Sequence, residues 1–234
     1  MKTLRPITLC LLLLAAVGAF AGEVIDGVVA TVNRKPVLES DWDEAVRFEA
    51  FMQQKPLAAV TEADRVGALQ RLIDRRLLEM QMNERSPLAP SSQDIRLNLA
   101  TLREQISGAQ TPQGWTSLLA AYGFTEPALE ANLRDQKQVM SFIEVRLRPN
   151  VHVQPEEIEA YYRAQVVPDM EKAGLRIIAL QELQGKIHEL LVQQHIDQLL
   201  DAWLHNLRQQ SQIRSTITLP TVPSSAERAG LGGN

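Results

Sequence analysis

The segment "GVVATVNRKPVLES", residues 27–40, most constrains the fold, because it predicts a β-hairpin at the start of an otherwise helical chain. Val28–Val32 is rich in β-branched residues, Asn33 favours a turn, and Val37-Leu38 makes a second short strand around Pro36. A lone two-stranded hairpin is marginally stable in water and needs a third strand or a helix to cover it.

The best partner for this hairpin lies at the far end of the chain. In "SQIRSTITL", residues 211–219, apolar and polar residues alternate in β-branched company, which predicts a strand. We therefore predict that the two ends meet in a small sheet that closes a helical array. The residues of this predicted clasp are Val28, Ala30, Val32, Ile213 and Ile217.

The intervening chain predicts consecutive helices, so the fold class is mainly α, a multi-helix core with one small sheet. The first five predicted N-termini each carry a Ser or Thr that can cap the first turn: Ser40, Thr61, Ser91, Thr111 and Thr125. The predicted helices are 40–54, 62–84, 91–106, 112–123, 125–147, one opening at Pro155, and 179–210. Between the last two, "QVVPDMEKAGLR" predicts a looser stretch, and 151–153 a short extended piece.

The apolar stripe of the last predicted helix changes side along its length. Leu183, Ile187 and Leu191 share one face, whereas Leu200 and Leu207 centre on nearly the opposite one. Such a helix either contacts two different bodies or is bent.

The first 21 residues have the pattern of a secretory signal peptide. Lys2 and Arg5 precede the apolar run 7–20, and Ala19-Phe20-Ala21 is a small-x-small cleavage site. The run is short for a membrane span of about 20 residues, although an uncleaved anchor is the alternative. Cleavage would remove Cys10, the only cysteine, so the mature fold cannot depend on disulfides.

The predicted organisation of the chain follows from these elements. Residues 22–150 form a helical core, 151–178 a linker with a short helix, 179–219 a helix and strand that complete the core, and 220–234 a disordered tail. The mature chain would carry 22 Lys and Arg against 28 Asp and Glu, a poor composition for binding nucleic acid.

Recognisable catalytic and cofactor motifs are absent from the sequence. It has no Gly-rich phosphate loop and no Gly-x-Ser-x-Gly, and His188 and His195, seven residues apart, are more simply solvated than metal-bound. Acidic residues at 41–44 suit a helix N-terminus, and "IDRRLLE" (73–79) is most simply a solvated face. We therefore predict no catalytic residues, no metal and no cofactor.

Several predicted helices carry more apolar residues than one core-facing stripe would contain. Five of them project away from the main stripes of their helices: Phe51, Leu78, Met82, Phe142 and Val145. One interpretation is that each packs on a second neighbour, as in buried helices. The functional interpretation is a shallow apolar groove for unfolded polypeptide, in which methionine suits promiscuous contacts.

Four segments, taken in order, resemble the SurA-type periplasmic chaperones. They are "VVATVNRKPVLESDWDEAV", "LQRLIDRRLLEMQ", "YGFTEPALEANLRDQKQVMSFIEVRLRPNVHVQPEEIEAYY" and "IHELLVQQHIDQLLDAWLHNLRQQSQIR". The matching pieces include Val37-Leu38-Glu39-Ser40-Asp41 and Leu72-Ile73-Asp74-Arg75-Arg76-Leu77-Leu78. Family members usually carry one or two parvulin-type prolyl isomerase domains between the third and fourth segments.

The chain departs from that pattern at the position of the isomerase domain. Fewer than 20 residues separate Tyr162 from Ala179, below the roughly 40 that a domain needs to fold unaided. The resemblance therefore implies an ATP-independent periplasmic holdase, without isomerase activity, whose clients are unfolded envelope or outer-membrane proteins. A prolyl isomerase and a dedicated partner of one envelope complex are the alternatives. We expect neither nucleic-acid binding nor stable membrane insertion, and the oligomeric state stays open.

Overall fold

The structure is a computed structural model that describes residues 26–82 and 89–219. The predicted signal peptide with Cys10, part of the loop after the second helix, and the predicted tail after Leu219 lie outside the described residues.

Helices dominate the described chain, with three short strands at its two ends, which confirms the predicted fold class. The strands are β1 (Val28–Val32), β2 (Lys35–Leu38) and β3 (Ile213–Ser215). The helices are α1 (Glu39–Met52), α2 (Glu62–Glu79), α3 (Ser92–Gln105), α4 (Pro112–Ala121), α5 (Glu126–Leu147), α6 (Pro155–Tyr161), α7 (Val167–Lys172) and α8 (Leu180–Gln210).

The two ends of the chain pair in one antiparallel sheet of order β2-β1-β3, as predicted. Ala30 pairs with Ser215 and Val32 with Ile213, so a strand from the far end covers the hairpin. Of the clasp residues, Ala30 and Val32 are buried, and Ile213 and Ile217 are half-buried on the same cluster. Val28 is 47% exposed, since it lies at the outer end of β1 beside a register shift.

The hairpin turn explains how Pro36 is tolerated within β2. Asn33 and Arg34 have φ of 49° and 69°, which is the two-residue turn that matches strand twist. Because Val32 and Lys35 close this turn, the next pair, Thr31 and Pro36, is a non-hydrogen-bonded one. The missing N–H of Pro36 therefore faces the open edge of the sheet, where it costs no ladder bond.

The prediction that Ser40 caps α1 is wrong, because the helix begins at Glu39 and Leu38 stands at the cap position. The Ser40 N–H instead donates to Asp26 Oδ1 at 3.1 Å, and the Ser40 hydroxyl also contacts the Asp26 carboxylate. Asp26, from the other side of the hairpin, thus satisfies an orphan donor of the first turn. The other four predicted caps are confirmed, with Thr61, Ser91, Thr111 and Thr125 each accepting an N–H from three residues on.

The segment predicted as loose, 165–176, is mostly helical. A π-helical turn at Tyr162–Val166 joins α6 to α7, so the chain stays helical from Pro155 to Lys172. Pro168 lies just after the π-helical turn; within a continuous helix a proline removes one backbone hydrogen bond, and the irregular turn stands where that bond is missing. The piece predicted as extended at 151–153 follows a 3-10 turn at Arg148–Asn150; Val151 has extended backbone angles, and the piece joins no sheet.

Two apolar clusters meet at α1. We call the first the sheet core; its largest fully buried members are Val32, Val37, Leu69, Ile73 and Leu77. The second, the aromatic core, joins α1 to α3, α4 and α5; its aromatic members are Phe48, Phe51, Trp115, Tyr122 and Phe124. Helix α1 therefore buries residues on both of its faces, which a one-sided stripe does not predict.

Helix α8 contacts two different bodies, as its shifting stripe predicts. Ile187 and Leu191 pack with Ile158 of α6, whereas Leu207 is buried in the sheet core. Between them Ile196 packs with Leu147 of α5. One helix therefore links the segment around α6 to the closing sheet.

An ion pair between Asp74 of α2 and Arg208 of α8 corrects the prediction that "IDRRLLE" is a solvated face. Arg208 Nε and Nη2 donate to the two Asp74 oxygens at 2.6 and 2.8 Å, and both side chains are mostly buried. Burial raises the pKa of Asp74, and the hydrogen bonds from Arg208 oppose that rise. Arg76 of the same run also pairs, with Asp41 of α1 at 3.2 Å.

Replacing Asp74 by Asn should lower the free energy of unfolding by about 1–3 kcal/mol, because it leaves the mostly buried Arg208 charge without its counter-ion. Urea unfolding followed by circular dichroism measures the change. Asp169→Asn is the matched control, since its exposed pair with Lys172 spans 3.8 Å and should contribute almost nothing. Equal losses in the two variants would contradict a structural role for the Asp74–Arg208 pair.

Candidate functional site

Phe51, a predicted client-contacting residue, lies inside the aromatic core. Its side chain is 1% exposed, and its ring makes edge contacts with Trp115, Tyr122 and Phe124 at centroid distances of 6.2, 5.4 and 6.4 Å. In this conformation Phe51 has no surface to offer a ligand. The alternative interpretation, packing on a second neighbour, holds at this position.

Leu78 and Phe142 are buried as well, in different places. Leu78 is 4% exposed in the sheet core, and Phe142 is 6% exposed with its ring 5.9 Å from that of Trp203 in α8. Phe51, Leu78 and Phe142 therefore share no exposed surface in the folded chain. The physical reason is that α2 and α5 each lie between two layers, which cover the residues off their main stripes.

The two remaining candidates are accessible but are not neighbours in the sequence or in one cluster. Met82 is half-buried at the end of the first described range, and Val145 on α5 is 63% exposed. These two residues stay proposals as client contacts.

A different apolar surface stands at the turn before α8. We call residues 155–191 the arm; α6 packs on the N-terminal half of α8 through Ile158, Ile187 and Leu191. We call residues 174–179 the arm tip; Leu175, Ile177 and Ile178 there are 62%, 44% and 38% exposed. Large apolar side chains gathered on one exposed segment typically mark an interaction site.

Hydrogen bonds fix the backbone of the arm tip at Leu175 and Ile178 but not between them. Leu175 N donates to Met170 O at 2.9 Å, and the Tyr162 hydroxyl donates to Ile178 O at 2.8 Å. Gly174, with φ of 67°, ends α7 in the left-handed conformation that favours glycine. Within the described chain, the backbone groups of Arg176 and Ile177 make no hydrogen bond. The tip therefore presents exposed apolar side chains and open backbone groups.

Sequence reasoning missed the arm tip because "GLRIIA" has neither helical nor alternating periodicity. The signal that was present is three large apolar residues in four positions between two helices, directly after a glycine. That pattern in a polar connection indicates either a buried loop or an exposed contact, and only the tertiary structure separates the two.

Ion pairs fix the base of the arm. Arg148 Nη2 donates to both oxygens of Glu189 at 2.8 and 2.7 Å, and this bond lowers the pKa of Glu189. His195 Nε2 lies 2.8 Å from Glu157 Oε1, which joins α8 to α6. These contacts join the start of the arm to the end of α5 and the middle of α8.

Residues 26–82 and 89–219 contain no group of three or more His, Cys, Asp or Glu arranged to hold a metal ion. Within the same ranges, no helix is long and apolar enough to cross a bilayer.

A protein-family model described as the SurA-like N-terminal domain matches residues 3–141. The matched part contains the hairpin, α1 to α4 and most of α5, whereas the arm and the strand that closes the sheet follow it. No curated protein matches the sequence significantly.

Proposed function

Because the chain belongs to the SurA-like N-terminal domain family, whose role is chaperone-like and periplasmic, we propose that it is an ATP-independent holdase for unfolded polypeptides. Its work would be done in the periplasm, after removal of the signal peptide at residues 1–21. Unfolded envelope proteins, including outer-membrane proteins, are the proposed clients.

The observation that carries this proposal is the exposed apolar arm tip. Each of its three large side chains would lose water on contact with an apolar client segment, at about 25 cal/mol per Å² of apolar surface. A contact of this size is weak, and weak contacts exchange rapidly, which suits transient protection of many clients. Release would follow from mass action or handover, without nucleotide.

The segment at the family's isomerase position supports a non-enzymatic role. Between Tyr162 and Leu180 the chain forms only a π-helical turn, α7 and the arm tip, which leaves no room there for a folded insert. The family match is to the N-terminal domain and includes no parvulin domain.

The triple variant Leu175→Ser, Ile177→Ser, Ile178→Ser should lose most of the suppression of aggregation that the wild-type protein gives, because it removes the apolar contacts of the tip. Light scattering of a denatured client diluted into buffer, without nucleotide, measures the suppression. The matched control is Leu97→Ser with Met140→Ser, which removes two side chains that are 60% and 59% exposed on α3 and α5.

Three outcomes would contradict the proposal. Wild-type protein in excess that leaves several clients aggregating would exclude a holdase. A rate of proline-limited refolding well above background would favour the isomerase. Capture of one stoichiometric partner, with no affinity for generic unfolded chains, would favour a dedicated complex component.

A further inference from the structure

A cleft of about 440 Å³ opens between α3 and the α4–α5 turn, far along the sequence from the arm. Its lining combines buried apolar groups with carboxylates; the residues that matter here are Leu99, Ala100, Glu104, Trp115, Glu126 and Glu130. A volume of several hundred Å³ is within the usual range of ligand sites.

The floor of the cleft is apolar and held in place. Leu99 and Trp115 are 7% and 3% exposed. Trp115 Nε1 donates to Glu126 Oε2 at 2.6 Å, which orients both the ring and the carboxylate. Such a floor accommodates an aliphatic chain without rearrangement.

Among residues 26–82 and 89–219, the carboxylates of the cleft find no cation at ion-pair distance. Glu104, Glu126 and Glu130 form no ion pair within the described chain, whereas most acidic residues of α1 and α2 are paired. Two arginines also line the cleft, so its formal charge is −1. Of these, Arg103 is committed to backbone, since its Nε donates to Ala109 O at 2.8 Å, and Arg96 is exposed.

The cleft already holds one guanidinium against its aromatic wall. The Arg103 guanidinium carbon lies 5.9 Å from the centroid of the Trp115 ring, within the range of a cation–π contact. The Trp115 ring thus has room beside it for a planar cation.

We propose that this cleft binds a basic side chain, arginine or lysine, of an extended unfolded polypeptide. The proposal rests on the holdase function and adds a client feature to it. The aliphatic stem would lie on Leu99 and Ala100, and the charged head would reach the free carboxylate oxygens of Glu126 and Glu130. An acidic side chain would instead meet three carboxylates, against one arginine, Arg96, that is not committed to backbone, so the cleft favours a basic side chain.

The test compares two fluorescently labelled, unstructured ten-residue peptides that differ at one position, arginine in one and citrulline in the other. Citrulline keeps the shape and removes the charge. Fluorescence anisotropy should show the arginine peptide binding about five- to tenfold more tightly, as expected for charge-assisted hydrogen bonds. Raising the salt concentration should shrink this ratio.

Two variants locate the preference. Glu126→Gln with Glu130→Gln should bring the ratio close to one, while glutamine at 126 keeps an acceptor for Trp115 Nε1. Glu156→Gln with Glu171→Gln, which removes two exposed carboxylates of the arm, should leave the ratio unchanged. Near-ultraviolet circular dichroism confirms that the aromatic core of each variant is intact.

The outcomes separate this proposal from the holdase. Equal affinity for the two peptides, or a ratio that survives in the Glu126/Glu130 variant, overturns the cleft proposal even if aggregation is suppressed. Failure of the wild-type protein to suppress aggregation overturns the holdase function, whichever peptide binds in the cleft.

Discussion

Ending the chain at Gln210 should lower the free energy of unfolding by about 3–6 kcal/mol relative to a chain that ends at Leu219. The shorter chain loses the apolar contacts that Ile213, Ile217 and Leu219 make with the sheet core, at about 1 kcal/mol for each half-buried side chain. It also loses backbone hydrogen bonds across the clasp, including Asn33 N to Gln212 O at 2.9 Å, each contributing about 1 kcal/mol.

The truncation has a local signature besides the global loss. Without β3, the buried side of β1 becomes the edge of a two-stranded hairpin, which is marginal in water. Hydrogen exchange of the amides of β1 and β2 should therefore become faster than that of α3 and α4. The strand order predicts this difference in exchange rates, because β1 is the central strand and loses one of its two neighbours.

The chain ending at Leu219 is the control, since it removes only residues 220–234 and keeps every described contact of the clasp. It should match the full-length protein in urea midpoint and in hydrogen exchange. If the chain ending at Gln210 also matches, the clasp does not stabilise the core.

Phe51→Ala should lower the free energy of unfolding by about 3–5 kcal/mol, the usual cost of removing a fully buried phenylalanine. The ring fills the centre of the aromatic core, and its loss removes the edge contacts with Trp115, Tyr122 and Phe124. Urea unfolding measures this difference in the free energy of unfolding, provided that its slope against urea concentration (the m-value) is the same in both proteins.

Val145→Ala is the matched control, because Val145 was predicted as a client contact by the same sequence argument but is 63% exposed. Its effect on stability should stay within about 0.5 kcal/mol. If Phe51→Ala were as mild as Val145→Ala while weakening client binding, Phe51 would be a surface residue and the aromatic core would be wrong.

Local features of this chain were predictable because their causes lie within a few residues. The caps at Thr61 and Ser91 depend on a side chain and an N–H three positions on, so the sequence pattern was sufficient. The changing face of α8 was likewise visible, since helical periodicity places each apolar residue by its number alone. The pairing of the chain ends was predictable because an isolated hairpin is marginally stable and only one other segment of the sequence had a strand pattern.

The errors share a cause at longer range. Ser40 was assigned as a cap, yet its partner Asp26 reaches it across the hairpin. Asp74 was assigned to solvent, yet Arg208 lies 134 residues away in sequence and within hydrogen-bond distance in space. A local sequence pattern does not show which distant residue the fold brings into contact.

The sequence by itself thus determined most of the helices and their caps, the closing sheet and the resemblance to a chaperone family. Only the tertiary structure decided which of the apolar residues outside the main helical stripes are exposed. Phe51 and Leu78 are covered, whereas Leu175 and Ile177 are exposed, although all four are large apolar residues outside a helical stripe. Burial depends on what the rest of the chain brings against a residue, so periodicity can identify an apolar face but cannot tell whether a second layer covers it.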